Sequence, residues 1–177
     1  MGKAINWYIE TQKTVNYYFD SDADLFAGFL AATSANSTVK ANLSLAIKAY
    51  RQWENDEPFH GFLGQVIINL YRVLENRPLN GKKIESFRQA LLGNDDAVVI
   101  DRWILRHYGK KNLSPKQYDT LADKIRLEAI SANLSPSAYQ ALIWCQTKRK
   151  HGDVSRHTDK SFGDILRSRG VQSVFKF

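Results

Sequence analysis

Apolar residues recur at the spacing of one helix face along most of this chain, and only one short stretch favours an extended backbone. That pattern confines the fold to an all-α, compact helical bundle. Between Thr38 and Asn55, Val39, Leu43, Ala46, Ile47, Tyr50 and Trp53 fall on one stripe, whereas Lys40, Asn42, Lys48 and Arg51 fall elsewhere, which predicts an amphipathic helix. The run 25–32, LFAGFLAA, is apolar on every side and follows Asp22 and Asp24, residues suited to a helix start, so it predicts a buried central helix. A further helix is expected from Phe59 to Glu75, with Phe62, Val66, Ile67, Leu70 and Leu74 inward. The tetrapeptide NLSP occurs at 112–115 and again at 133–136. In each copy serine can cap and proline can take the first helical position, so two helices should start there. The exception is AVVI at 97–100, short, largely β-branched and just after the Gly93-Asn94 turn signal. It reads as a connecting segment and not as part of a sheet.

A chain of 177 residues with 44% hydrophobic content can bury an ordinary core without disulfides. One helical domain is expected over 1–150, followed by a basic extension over 151–177, partly helical or docked through SFGDILRSRG at 161–170. From Lys148 to Phe177 there are eight Lys/Arg against three Asp, the charge pattern of a solvated tail. The single cysteine, Cys145, has no partner for an internal disulfide, and no Cys/His cluster has the paired spacing of a zinc or iron–sulfur site. No metal and no cofactor are therefore expected. With no signal-like leader and no apolar run long enough for a bilayer, the chain reads as a soluble intracellular monomer, not a membrane protein. Its formal net charge of +7 favours a polyanionic partner, because each neutralised phosphate releases counterions.

Chemistry concentrates in NGKKIESFRQALLGNDDAVVIDRWILRHYG at 80–109, which has the form turn, helix, turn, extended piece, aspartate, helix. Gly81 suits a tight turn, and a helix opening beside Lys82 and Lys83 presents unpaired backbone N–H groups to a phosphate. Asp101 precedes the helical run RWILRHY, so its carboxylate sits at a helix N-terminus, where the macrodipole favours the ionised form. Alone, Asp101 reads as a helix cap and Lys83 as a solvated charge. The adjacent acids Asp95 and Asp96 read as turn residues.

Gly81, Lys82 and Lys83, followed 18 residues after Lys83 by Asp101 behind the apolar AVVI, resemble the motif of the helix-hairpin-helix DNA glycosylases related to endonuclease III and 8-oxoguanine glycosylase. Two further segments are similar to the same family: the early helix pair at 26–50, with Ser34, Ala35 and Asn36 at its turn, and YQALIW at 139–144. The sequence departs from the family's L-P-G-x-G hairpin in reading Pro78-Leu79-Asn80-Gly81. Trp103 stands where many relatives have histidine, and the middle of the chain is short.

The resemblance implies a helix-hairpin-helix glycosylase fold of reduced size and the excision of a damaged or modified base from double-stranded DNA, with Lys83 as nucleophile and Asp101 as the stabilising carboxylate. AP lyase activity would accompany it. It further implies DNA contacts by Asn36, Asn80, Gly81, Lys82, Arg102, Arg106, Lys148, Arg149 and Lys150, and a base pocket formed by Trp103, Tyr139, Gln140 and Trp144. Read as residues alone, the tryptophans suit a helical core, and Asn36 suits a turn. A catalytically inactive helix-hairpin-helix DNA-binding protein and an adaptor for an acidic protein are the alternatives.

Overall fold

Helices follow one another through the residues that the structure, a computed structural model, describes, which are 2–151 and 160–168. They are α1 (Gly2–Ile5), α2 (Trp7–Phe19), a 3-10 turn (Asp20–Asp22), α3 (Ala23–Ala32), α4 (Val39–Glu54), α5 (Gly64–Leu74), α6 (Lys82–Leu91), α7 (Arg102–His107), α8 (Pro115–Ser131), α9 (Pro136–Lys150) and α10 (Phe162–Ser168). There is no strand among the described residues, and no helix there is long and apolar enough to cross a membrane.

The two NLSP copies do what their residues dictate. Ser114 accepts from the Gln117 N–H and Gln117 reaches back to the Ser114 N–H, closing a capping box, with Pro115 at the first helical position. Ser135 accepts from the Ala138 N–H, and Pro136 opens α9. The all-apolar α3 is the hub: it touches α2, α4, α5 and α6, and Phe26 to Ala32 are all buried. Its neighbour α4 starts on the Thr38 cap and buries Leu43, Ala46, Ile47 and Tyr50 as expected. Asn42 and Gln52 are buried as well, satisfied by Thr33 and by the His60 loop.

Three local expectations need correction. The helix expected from Phe59 begins only at Gly64, because Gly61 takes φ +72° and turns the chain before it. Leu74 lies outward, since Val66, Leu70 and Val73 set the inward stripe. The N-terminal helices add to the expected set; α2 buries Trp7, Thr11, Val15 and Phe19 at four-residue intervals, a stripe that the threonine on it masks.

The α5–α6 connection is a tight hairpin. The Asn80 N–H donates to Asn69 Oδ1 at 2.8 Å, the Leu79 N–H donates to Glu85 Oε2 at 2.7 Å, and Gly81 caps α6 at φ +101°. Beyond it, 97–100 is fully buried and is neither helix nor strand, and its side chains alternate between two cores as those of an extended backbone do. Successive side chains on an extended backbone point to opposite sides. Ala97 and Val99 accordingly join the large core of α2 to α6, and Val98 and Ile100 join a second core with Ile104, Leu121, Ile125 and Ile143. This segment therefore lies between the two cores. The α10 helix docks on α2 and α4 through Phe162, Ile165 and Leu166. The rest of the expected extension, 152–159 and 169–177, lies outside the described residues.

Candidate functional site

The seam between the two cores holds a cavity of about 90 Å³, and beside it runs a groove of about 570 Å³. They share Ser34, Ser37, Thr38, Val39, Lys83, Asp101 and Trp144, so the groove opens onto the cavity.

Asp101 caps α7. One carboxylate oxygen, Oδ1, accepts from the Trp103 N–H at 2.8 Å and the Ile104 N–H at 3.0 Å. The other, Oδ2, accepts from the Trp144 indole N–H at 2.9 Å, a bond from a residue 43 positions later. A plain cap needs only the first oxygen; the indole fixes the plane of the whole carboxylate.

Lys83 reaches the same space from the first turn of α6, half-buried. Burial pushes its amine below the ordinary lysine range, the Asp101 charge opposes that shift, and Arg102 reinforces it. Among the described residues, the amine forms neither an ion pair nor a hydrogen bond. It is thus a desolvated amine facing an oriented carboxylate.

Apart from Lys83 and Asp101, the walls are aromatic, apolar or uncharged polar. Trp7 packs on Phe162 at 5.4 Å and on Trp144 at 6.1 Å between ring centres. Gln140 accepts from the Tyr8 hydroxyl at 2.9 Å, and burial raises the Tyr8 phenol well above its ordinary range, so the phenol remains the donor. That leaves the two amide hydrogens of Gln140 to donate. Ser34 Oγ is buried without a hydrogen-bond partner among the described residues. Asn42 completes the polar lining. No group of three His, Cys, Asp or Glu among the described residues could hold a metal ion.

The structure thus brings Lys83, Asp101, Gln140 and Trp144 to the cavity, and Asn36, Arg102, Trp103 and Lys148 to the groove. Asn36 stands at the α3–α4 turn in the left-handed region, φ +53°, and is exposed. Lys148 is 8% exposed, its ammonium 4.3 Å from the centre of the Trp144 ring. Arg149 and Lys150 are at the end of α9, outside both spaces.

Other expected residues fall elsewhere. Trp103 lines the groove and not the cavity, flanked by the guanidinium groups of Arg102 at 5.2 Å and Arg106 at 4.9 Å. Tyr139 is one helical step out of phase with Gln140 and Trp144, and its hydroxyl donates to Glu128 on α8. Lys82 points the other way from Lys83 and is paired with Asp119 at 2.6 Å. Asn80 and Gly81 form the hairpin, apart from the groove. Trp7, Tyr8, Asn42, Phe87, Val99 and Phe162 also line the cavity, beyond the residues that the motif indicates. Phe87 and Val99 carry a signal in the sequence: they lie one turn from Lys83 and two residues before Asp101.

A protein from Arabidopsis thaliana described as NAC transcription factor 56 is 26% identical over 134 residues, 73% of this chain and 35% of that protein. The chain therefore spans about a third of that relative's length. No solved structure matches the chain at a significant level. Residues 2–151, which include both faces of the groove and every cavity residue but Phe162, match the family described as Family of unknown function (DUF7178), and the chain belongs to that family.

Proposed function

We propose that this protein excises a damaged or modified base from DNA, using Lys83 as nucleophile and Asp101 as the carboxylate that stabilises the sugar. One observation carries the proposal: a desolvated amine and a carboxylate held by three donors meet in one aromatic cavity that opens onto a cationic groove. A base within a duplex is out of reach, so the nucleotide is extruded and its base enters between the aromatic walls. As the C1′–N bond breaks, its electron pair leaves with the base, and the Asp101 carboxylate stabilises the positive charge left on C1′ and the ring oxygen. The Lys83 amine, once it has given up its ammonium proton, then bonds to C1′ and loses a second proton to solvent. Opening of the sugar ring gives a Schiff base, from which β-elimination cleaves the strand.

This reading has the same chemistry as the helix-hairpin-helix glycosylases that the sequence resembles. Away from Lys83 and Asp101 the polar lining of the cavity is uncharged, through Ser34, Asn42 and Gln140, which suits a neutral base edge.

The test is borohydride trapping with duplexes carrying a panel of oxidised, deaminated, alkylated and hypermodified bases. At least one should give a covalent adduct, and Lys83→Ala should abolish it. A panel from which no base is released and no adduct forms overturns the proposal; salt-dependent DNA binding in that case identifies a binding protein without chemistry.

A further inference from the structure

The groove's charge is lopsided. Its lining includes five cations, Lys40, Lys83, Arg102, Lys111 and Lys148, against one acid, Asp101, whose two oxygens already accept three hydrogen bonds. Five minus one leaves +4 of the chain's +7 in this single groove. Several cations elsewhere sit beside acids: Lys82 with Asp119, Arg126 with Asp96 and Asp123, Lys124 with Glu128, Arg167 with Asp164.

Lys40 and Lys111 are exposed or nearly so and, among the described residues, neither forms an ion pair. Local structure places each of them. Lys40 lies in the first turn of α4, just after the Thr38 cap and the turn that carries Asn36. Lys111 lies in the loop after α7, which folds back on its own helix: the Lys110 N–H donates to Leu105 O at 2.8 Å, and Gly109 turns at φ +64°. Asp101 caps the start of that same helix, and Lys111 and the Asp101 carboxylate both line the groove. The two lysines thus come from separate elements and line the same groove as Lys83 and Asp101.

We infer that Lys40 and Lys111 hold the two phosphates that flank the extruded nucleotide, one on each side of the cavity mouth. The inference rests on reading the groove as a DNA surface, and it deepens that reading. Unstacking a base costs energy, and a strand gripped on one side only can swing the nucleotide away from the cavity. A grip on both sides converts electrostatic affinity into a bulged backbone over Asp101 and Lys83.

The experiment measures the binding of the full chain, by fluorescence anisotropy, to a duplex containing a tetrahydrofuran abasic analogue, across about 50 to 200 mM salt. Removing one lysine–phosphate pairing lowers the salt slope by about one, so the affinity gap between wild type and Lys40→Ala or Lys111→Ala should narrow about threefold across that range. The double variant should show a slope about two units smaller, and Lys82→Ala should match wild type. Unchanged slopes in both lysine variants overturn the inference, as does absence of DNA binding at low salt. Slopes that fall as expected, in a protein that releases no base, uphold this inference and sink the excision chemistry alone.

Discussion

Lys83 is governed by two opposed influences, removal from water and the attraction of Asp101, and removal from water is the larger. The unfolded chain keeps the lysine proton to a higher pH than the folded one. Between the lowered folded pKa and the ordinary lysine range the unfolded state binds more protons, so stability rises with pH there; below that window the buried ammonium is a fixed cost. Lys83→Met should therefore be more stable than wild type at neutral pH, and the gain should shrink as pH climbs into the ordinary lysine range. Urea midpoints at a series of pH values test this, and a methionine variant less stable at neutral pH would refute it. On the proposed chemistry, Trp144 acts through Asp101, as a positioning residue. Trp144→Phe keeps an aromatic ring and removes the indole N–H, so single-turnover base release should fall about tenfold, the worth of a hydrogen bond to a charged group, while DNA affinity holds. An equal loss of affinity would show that the ring itself binds DNA.

At the scale of elements, helices meet where small residues let them. A Cβ on Gly28 of α3 would lie 2.5 Å from Val73 Cγ1 on α5, far inside contact distance. Glycine within a helix costs about 1 kcal/mol of propensity, so its place here is explained by the close approach of α5. Gly28→Ala should destabilise by about 1–3 kcal/mol through overpacking, and Val73→Ala in the same chain should restore part of that stability. Equilibrium denaturation of the two single variants and the double variant decides it; simple additivity would mean that the helices shift apart freely. The capped starts of α8 and α9 are also settled at this scale, by a serine and a proline within each copy of NLSP.

For the whole molecule, the cavity exists because distant parts of the chain close on one seam. Phe162 of α10 is 1% exposed and packs on Trp7 of α2, and the Trp7 indole N–H donates to the Lys160 carbonyl at 3.2 Å. Phe162→Ala should cost about 3 kcal/mol and alter Trp7 fluorescence, and a thermal melt within about 1 °C of wild type would show that α10 is not part of the cooperative unit. The sequence determined the all-helical class, the helix starts at Thr38, Ser114 and Ser135, the buried α3 and the extended link at 97–100, because capping and periodicity act within a few residues. It singled out Lys83 and Asp101 as well, through a motif confined to one stretch. Only the tertiary structure decided that Trp144 orients Asp101, that Tyr8 holds Gln140, that Tyr139 and Lys82 face away, and that α2 and α10 wall the cavity. Those contacts join residues that lie far apart along the chain, and local propensity carries no information about which distant faces pack together.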